Sequence, residues 1–172
     1  MQSSVRNLRV NTVELLRHAG QRRDVDVDVL PAELGITDQR LAADEVIAVR
    51  LAVVSTVDGL VVTGSVDVTV HEECRRCLRA VVELTSNAID ELYQEQVSDP
   101  DAFEIGPDAL DLTPLVRDAA MLSLAGPPPL CRDDCQGICP QCGADRNETS
   151  CACDTTVIDA RWAALEGFDP DA

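Results

Sequence analysis

The sequence predicts an α+β fold, an antiparallel β-sheet core with a few short helices and a cysteine-rich zinc-binding C-terminal region. Three observations carry that expectation. Val25, Val27 and Val29 alternate with aspartates, and Val66, Val68 and Val70 alternate with polar residues, the two-residue period of strands with one wet face. Asp58-Gly59 separates two β-branched runs, Val46 to Val54 and Leu60 to Val70, as a hairpin turn does. Six of the eight cysteines crowd the 23 positions from Cys131 to Cys153.

Taken in order, the first element is expected to be a short helix, capped by Asn11 with Glu14 reciprocating and ended by Gly20. A strand follows at Val25 to Val29, then a connection bracketed by Pro31 and Gly35. The hairpin comes next, and Ala80 to Leu84 continues the sheet after an interruption that holds Cys74 and Cys77, for four or more strands in all. From Glu83 to Asp118 ten acidic residues stand against one Arg, which reads as a loop excursion or an acidic docking surface. A helix with Thr113 as cap and Pro114 in its first turn runs on to Leu124, where Gly126 and three prolines stop it. A last short helix is expected from Thr156, with Trp162 and Leu165 on one face. At 172 residues there is room for one core domain, 1–126, including the first C-x2-C pair, and a cysteine-rich tail, 127–172, packed on it.

Charge limits the partners. Fourteen Arg, with no Lys, face 31 acidic residues for a net charge of −17, which repels nucleic acid at long range. Any RNA contact then needs a local basic patch, and the candidates are Arg6 and Arg9 in the basic N-terminal stretch and Arg75, Arg76 and Arg79 beside a cysteine pair. No DNA or membrane partner is expected. No run approaches the roughly 20 apolar residues of a bilayer span, and Met1 to Val10 lacks the apolar centre of a secretory signal, so the expected location is cytoplasmic, with reduced thiols.

The cysteines carry the chemical information. Two thiolates separated by two residues turn toward one ion, and a second pair closes a tetrahedron. Cys139-Pro140-Gln141-Cys142-Gly143 is one such knuckle and Cys74-Arg75-Arg76-Cys77 another. The preferred partition gives one site Cys139, Cys142, Cys151 and Cys153, and leaves Cys74, Cys77, Cys131 and Cys135 for a second, hence one or two structural zinc ions; counting alone does not fix the connectivity. Disulfides, thiol–disulfide catalysis and an iron–sulfur cluster rank below zinc. His71 is near enough to Cys74 in sequence to replace a ligand, although a surface role is the simpler one, and His18 falls in the last turn of the first helix. No phosphate-binding glycine loop, nucleophile elbow or H-E-x-x-H motif is present, so the chain is not expected to be an enzyme.

Two segments around the cysteines, His71-Glu72-Glu73-Cys74-Arg75-Arg76-Cys77-Leu78 and Pro128 to Gly143 with Asn147 beyond it, flank Asp111-Leu112-Thr113-Pro114-Leu115-Val116-Arg117-Asp118. In order and spacing the chain resembles the YceD-like family of proteins associated with accumulation of 23S ribosomal RNA. The resemblance implies a non-catalytic factor in ribosome biogenesis that supports 23S rRNA accumulation or large-subunit assembly, with the large-subunit precursor, 23S rRNA or a basic ribosomal protein as partner. The alternative is a zinc-stabilised interaction module or chaperone for a basic ribosomal protein that makes no direct RNA contact.

Overall fold

The computed structural model describes residues 4–107, 109–154 and 161–162. They form two compact units. The first holds the described residues up to Glu72 together with Ala80–Pro128, and the second joins Glu73–Arg79 to the described residues from Pro129 onward. The Cys74–Cys77 pair, expected within a 1–126 core domain, therefore groups with the C-terminal cysteines.

The first unit is built on a five-stranded sheet in the order β2-β3-β4-β5-β6, with a two-stranded pair, β1-β7, beside it in the chain. The strands are β1 (Arg9–Asn11), β2 (Arg22–Val29), β3 (Ile47–Ser55), β4 (Leu60–Glu73), β5 (Ala80–Gln94), β6 (Phe103–Glu104) and β7 (Ala109–Asp111). Valine alternation sets the register: β2 pairs antiparallel to β3 with Val27 opposite Val49, and β3 to β4 with Val49 opposite Val66 and Val53 opposite Val62. A one-residue slip would turn the buried Val49, Val53, Val62 and Val66 to water, so the pattern specifies the pairing strongly. The helix α1 (Thr113–Leu122) buries Val116, Ala119 and Ala120 against the same apolar cluster, in which Leu8, Ile47, Leu60, Leu110 and Leu112 are fully enclosed.

Several expectations need correction. The first helix is only a 3-10 turn, Leu15–Arg17; Asn11 accepts from the Val13 amide (3.0 Å) in a local turn, because its backbone is already committed to β1 opposite Ala109. β5 does not end at Leu84 but runs to Gln94, and with β6 and β7 nearly half of the acidic stretch is strand. Ile89 and Tyr93 point inward at strand spacing while Asp90 points to water, and polar inward neighbours had hidden the alternation. Gln94 is buried at its end, donating to the Asp58 carbonyl (3.0 Å) and accepting from the Ser98 amide (2.9 Å). Thr113 is the first residue inside α1 rather than its cap; Asp111 Oδ1 accepts from the Thr113 amide instead (2.9 Å). The helix expected from Thr156 lies outside the described residues. Among those described, no helix is long and apolar enough to cross a membrane.

One polar staple ties distant parts of this unit together. The Arg40 guanidinium binds Asp38 through two nitrogens (3.0 and 2.9 Å), Glu72 (3.3 Å) and the Leu124 carbonyl (2.9 Å). Hydrogen bonds from Arg40, side chain first and then backbone, hold the Asp38 carboxyl down to about 2.

Candidate metal centre

The second unit has no aliphatic core: its buried residues among those described are Cys74, Cys77, Cys135, Gly137 and Cys139, and the apolar cluster of the protein includes no residue from it. What converges instead is sulfur. Cys74, Cys77, Cys131 and Cys135 form one quartet and Cys139, Cys142, Cys151 and Cys153 another, with all four sulfurs of each within 4.8 Å of one another. The Cys74–Cys135 and Cys77–Cys131 sulfurs stand 3.8 and 3.5 Å apart. Four thiolates at about 2.3 Å from a tetrahedral zinc are separated by about 3.8 Å, close to these two separations in the first quartet. A disulfide, at about 2.05 Å, does not fit these separations.

Each quartet is nucleated by a knuckle, and the two knuckles share one backbone design. In the first, the Leu78 amide donates to the Cys74 carbonyl (2.9 Å) and the Cys74 amide to the Arg79 carbonyl (2.8 Å). In the second, the Gly143 amide donates to the Cys139 carbonyl and the Cys139 amide to the Ala144 carbonyl, both at 2.8 Å. The residue after the second cysteine is left-handed in both, Gly143 at φ 73° and Leu78 at φ 59°. Glycine adopts that conformation without strain, whereas leucine does not. Gly143 signalled the turn in the sequence; Leu78 hid its equivalent.

The fold also prepares the sulfurs for charge. Burial pushes the Cys74 thiol up, but the backbone amides of Cys131, Arg76 and Cys77 outweigh it and bring the group down to about 6. Cys139 is likewise held at about 6, by the amides of Cys142 and Gln141. Burial raises Cys135 too, but the Gly137 amide and Asn147 outweigh it and lower the group. Other members meet the opposite: burial and the Cys77 thiol drive Cys131 up to about 12, and the Cys142 thiol with burial does the same to Cys153. Each site thus favours some thiolates and resists all four together, which is the condition a divalent cation relieves.

Outer contacts orient the first quartet. Asn147 Nδ2 donates to the Cys135 sulfur (3.6 Å) and to Asp145 Oδ1 (2.6 Å), while its Oδ1 accepts from the Gln136 amide and from Arg132 Nη2, both 2.8 Å. In the second quartet Gln141 donates to the Asp154 carbonyl, joining the knuckle to the segment that carries Cys151 and Cys153.

The basic candidates separate. Arg79 is held by Asp145 (3.2 Å) and Glu148 (2.8 Å), and Arg76 Nη1 donates to the Cys135 carbonyl (2.9 Å), so both are engaged in building the unit. Arg75 is exposed. Arg6 and Arg9 are exposed in the first unit. His71 is no ligand to the first quartet: its Nε2 lies 2.6 Å from Glu45 in the first unit. His18 follows the 3-10 turn in an extended conformation.

Residues 62–169 match a family model described as large ribosomal RNA subunit accumulation protein YceD. Three proteins named only as uncharacterized, one from Mycobacterium bovis and two from strains of Mycobacterium tuberculosis, are each 32% identical over 149 residues, covering 78% of this chain and 68% of theirs. No solved structure matches the chain significantly.

Proposed function

The chain belongs to the YceD family of large ribosomal RNA subunit accumulation proteins, and from that premise we propose that it is a non-catalytic cytoplasmic factor supporting 23S rRNA accumulation or large-subunit assembly. The observation that carries this reading is the extent of the family match, 62–169, which encloses all eight cysteines. Cys74, Cys77, Cys131 and Cys135 would hold one structural zinc and Cys139, Cys142, Cys151 and Cys153 a second. Four thiolates saturate a tetrahedral ion and leave no place for water or substrate, which supports a structural role over a catalytic one. The partner is the large-subunit precursor or its 23S rRNA, with neither DNA nor a membrane involved. Deletion of the gene tests this directly: the ratio of 23S to 16S rRNA is expected to fall and to recover with the wild-type gene, and an unchanged ratio refutes the proposal.

A second reading, an interaction module for a basic ribosomal protein, is favoured by the net charge of −17. It predicts salt-sensitive binding to purified basic ribosomal proteins with no retention on large-subunit RNA.

A further inference from the structure

If the factor meets RNA directly, the contact should lie where positive charge is free. The knuckle arginines offer little: Arg79 is neutralised by two carboxylates and Arg76 is tied to a carbonyl, which leaves Arg75, exposed, beside quartets where a zinc held by four thiolates would carry a formal charge of about −2. The first unit offers a better place. A cleft of about 280 Å³ runs between the segment Arg6 to Asn11 and the strand β2, which forms one edge of the five-stranded sheet. Arg6, Arg9 and Arg23 line it, all exposed, and no ion pair is formed by any of the three among the described residues.

The two carboxylates that also line the cleft are both paired. Asp24 pairs with Arg22 (2.8 Å), and Asp26 shares Arg50 with Asp28 (3.1 and 2.9 Å), so the cleft with its ion pairs keeps a smaller positive excess, supplied by its three arginines, in a chain whose net charge is −17. Guanidinium groups bind phosphate oxygens in pairs, and the lining contains no aromatic ring on which a base could stack. We infer that this cleft binds the phosphodiester backbone of an RNA strand through Arg6, Arg9 and Arg23, without reading its sequence. The inference rests on the proposed role in rRNA accumulation and names where that RNA is touched.

The test uses the full, zinc-loaded chain and a fluorescent oligouridylate of 20 nucleotides, with anisotropy read across salt concentrations. Three phosphate contacts to a single strand predict a slope of log K against log salt near −2, or binding weakened about 15-fold between 50 and 200 mM salt. Arg23→Ala is expected to reduce the slope by about 0.7, and the variant lacking all three arginines to lose measurable binding with its melting temperature kept, since the side chains are exposed. Unaltered affinity in the triple variant overturns the inference, as does absence of binding by the wild type at 50 mM salt, or a polyglutamate peptide competing as well as RNA does. A triple variant that binds no RNA yet restores the 23S to 16S ratio in the deletion strain also overturns it while leaving the proposed function standing.

Discussion

Removal of metal at neutral pH should unfold the second unit while the first stays native. The magnitude follows from what each unit buries. Ordering the 35 described residues of the second unit costs at least about 1 kcal/mol of backbone entropy per residue. Against this stand four buried cysteine side chains, Cys74, Cys77, Cys135 and Cys139, and no aliphatic residue. At about 25 cal/mol per Å² such burial returns only a few kcal/mol, well short of the cost. Structural zinc in cysteine-rich sites contributes on the order of 10 kcal/mol or more per ion, so metal is the only term large enough to reverse the balance. Hydrogen exchange read by mass spectrometry after treatment with a strong chelator resolves the two units. Amides of Ile138, Cys139, Gly143 and Arg146, all hydrogen-bonded within the second unit, are expected to lose protection as zinc leaves. Amides of β3 and β4 should stay slow. Persistent protection of the second unit at zero metal content would refute the reasoning, because its described residues bury no other surface to supply it.

Four further outcomes follow from particular contacts. Leu78→Gly should stabilise the zinc-loaded second unit by up to about 1 kcal/mol, since the left-handed backbone at φ 59° ceases to be strained and the lost side chain is 58% exposed; chelator concentration at half-unfolding measures it. Gly64→Ala should destabilise the first unit by about 2 kcal/mol or more, seen as a lower urea midpoint, because the residue is at φ 144° in mid-strand and a Cβ would run into the Arg50 carbonyl. Asn147→Ala removes the amide donor to the Cys135 sulfur, and competition with a colorimetric chelator should show zinc affinity at the first quartet reduced about 10-fold or more, with the second quartet unchanged. Asp38 titrates lower in the fold, at about 2, than its ordinary 3.8, so its contribution is complete above about pH 4 and is lost as pH falls through 2. Urea unfolding of the first unit in chelator should therefore weaken over that window, and Arg40→Met should flatten the dependence.

The parts that were legible in the sequence are those where chemistry and spacing leave one solution. Val25, Val27 and Val29 specify a one-sided strand, and Asp58-Gly59 with its flanking valines specifies the hairpin. The two C-x2-C knuckles were legible in the same way, but the partition of the remaining cysteines was a preference that counting left open, and the convergence of the sulfurs in the fold groups them. What stayed hidden depended on tertiary context. β5 beyond Leu84 looks like an acidic loop because Thr85, Asn87 and Glu91, at inward positions, are polar and only Ile89 and Tyr93 mark the buried side. The equivalence of the knuckles was masked by Leu78, since left-handed turns announce themselves through glycine. Charge runs such as Arg75, Arg76 and Arg79 say nothing of which members carbonyls and carboxylates have already claimed.

The first quartet has a topological effect that the second lacks. Its ligands come from both ends of a long stretch of chain, Cys77 and Cys131 being 54 positions apart, so a bound ion ties the sequence into a ring that contains β5, β6, β7 and α1. A clip of that span shrinks the disordered ensemble, and the loop-entropy relation for a crosslink puts the effect at about 4 kcal/mol. The benefit falls on residues that never touch the metal: strands and a helix of the first unit should refold with a smaller entropic handicap whenever zinc is present. Starvation for the ion would then be felt as a general loss of cooperativity, well beyond the cysteines themselves.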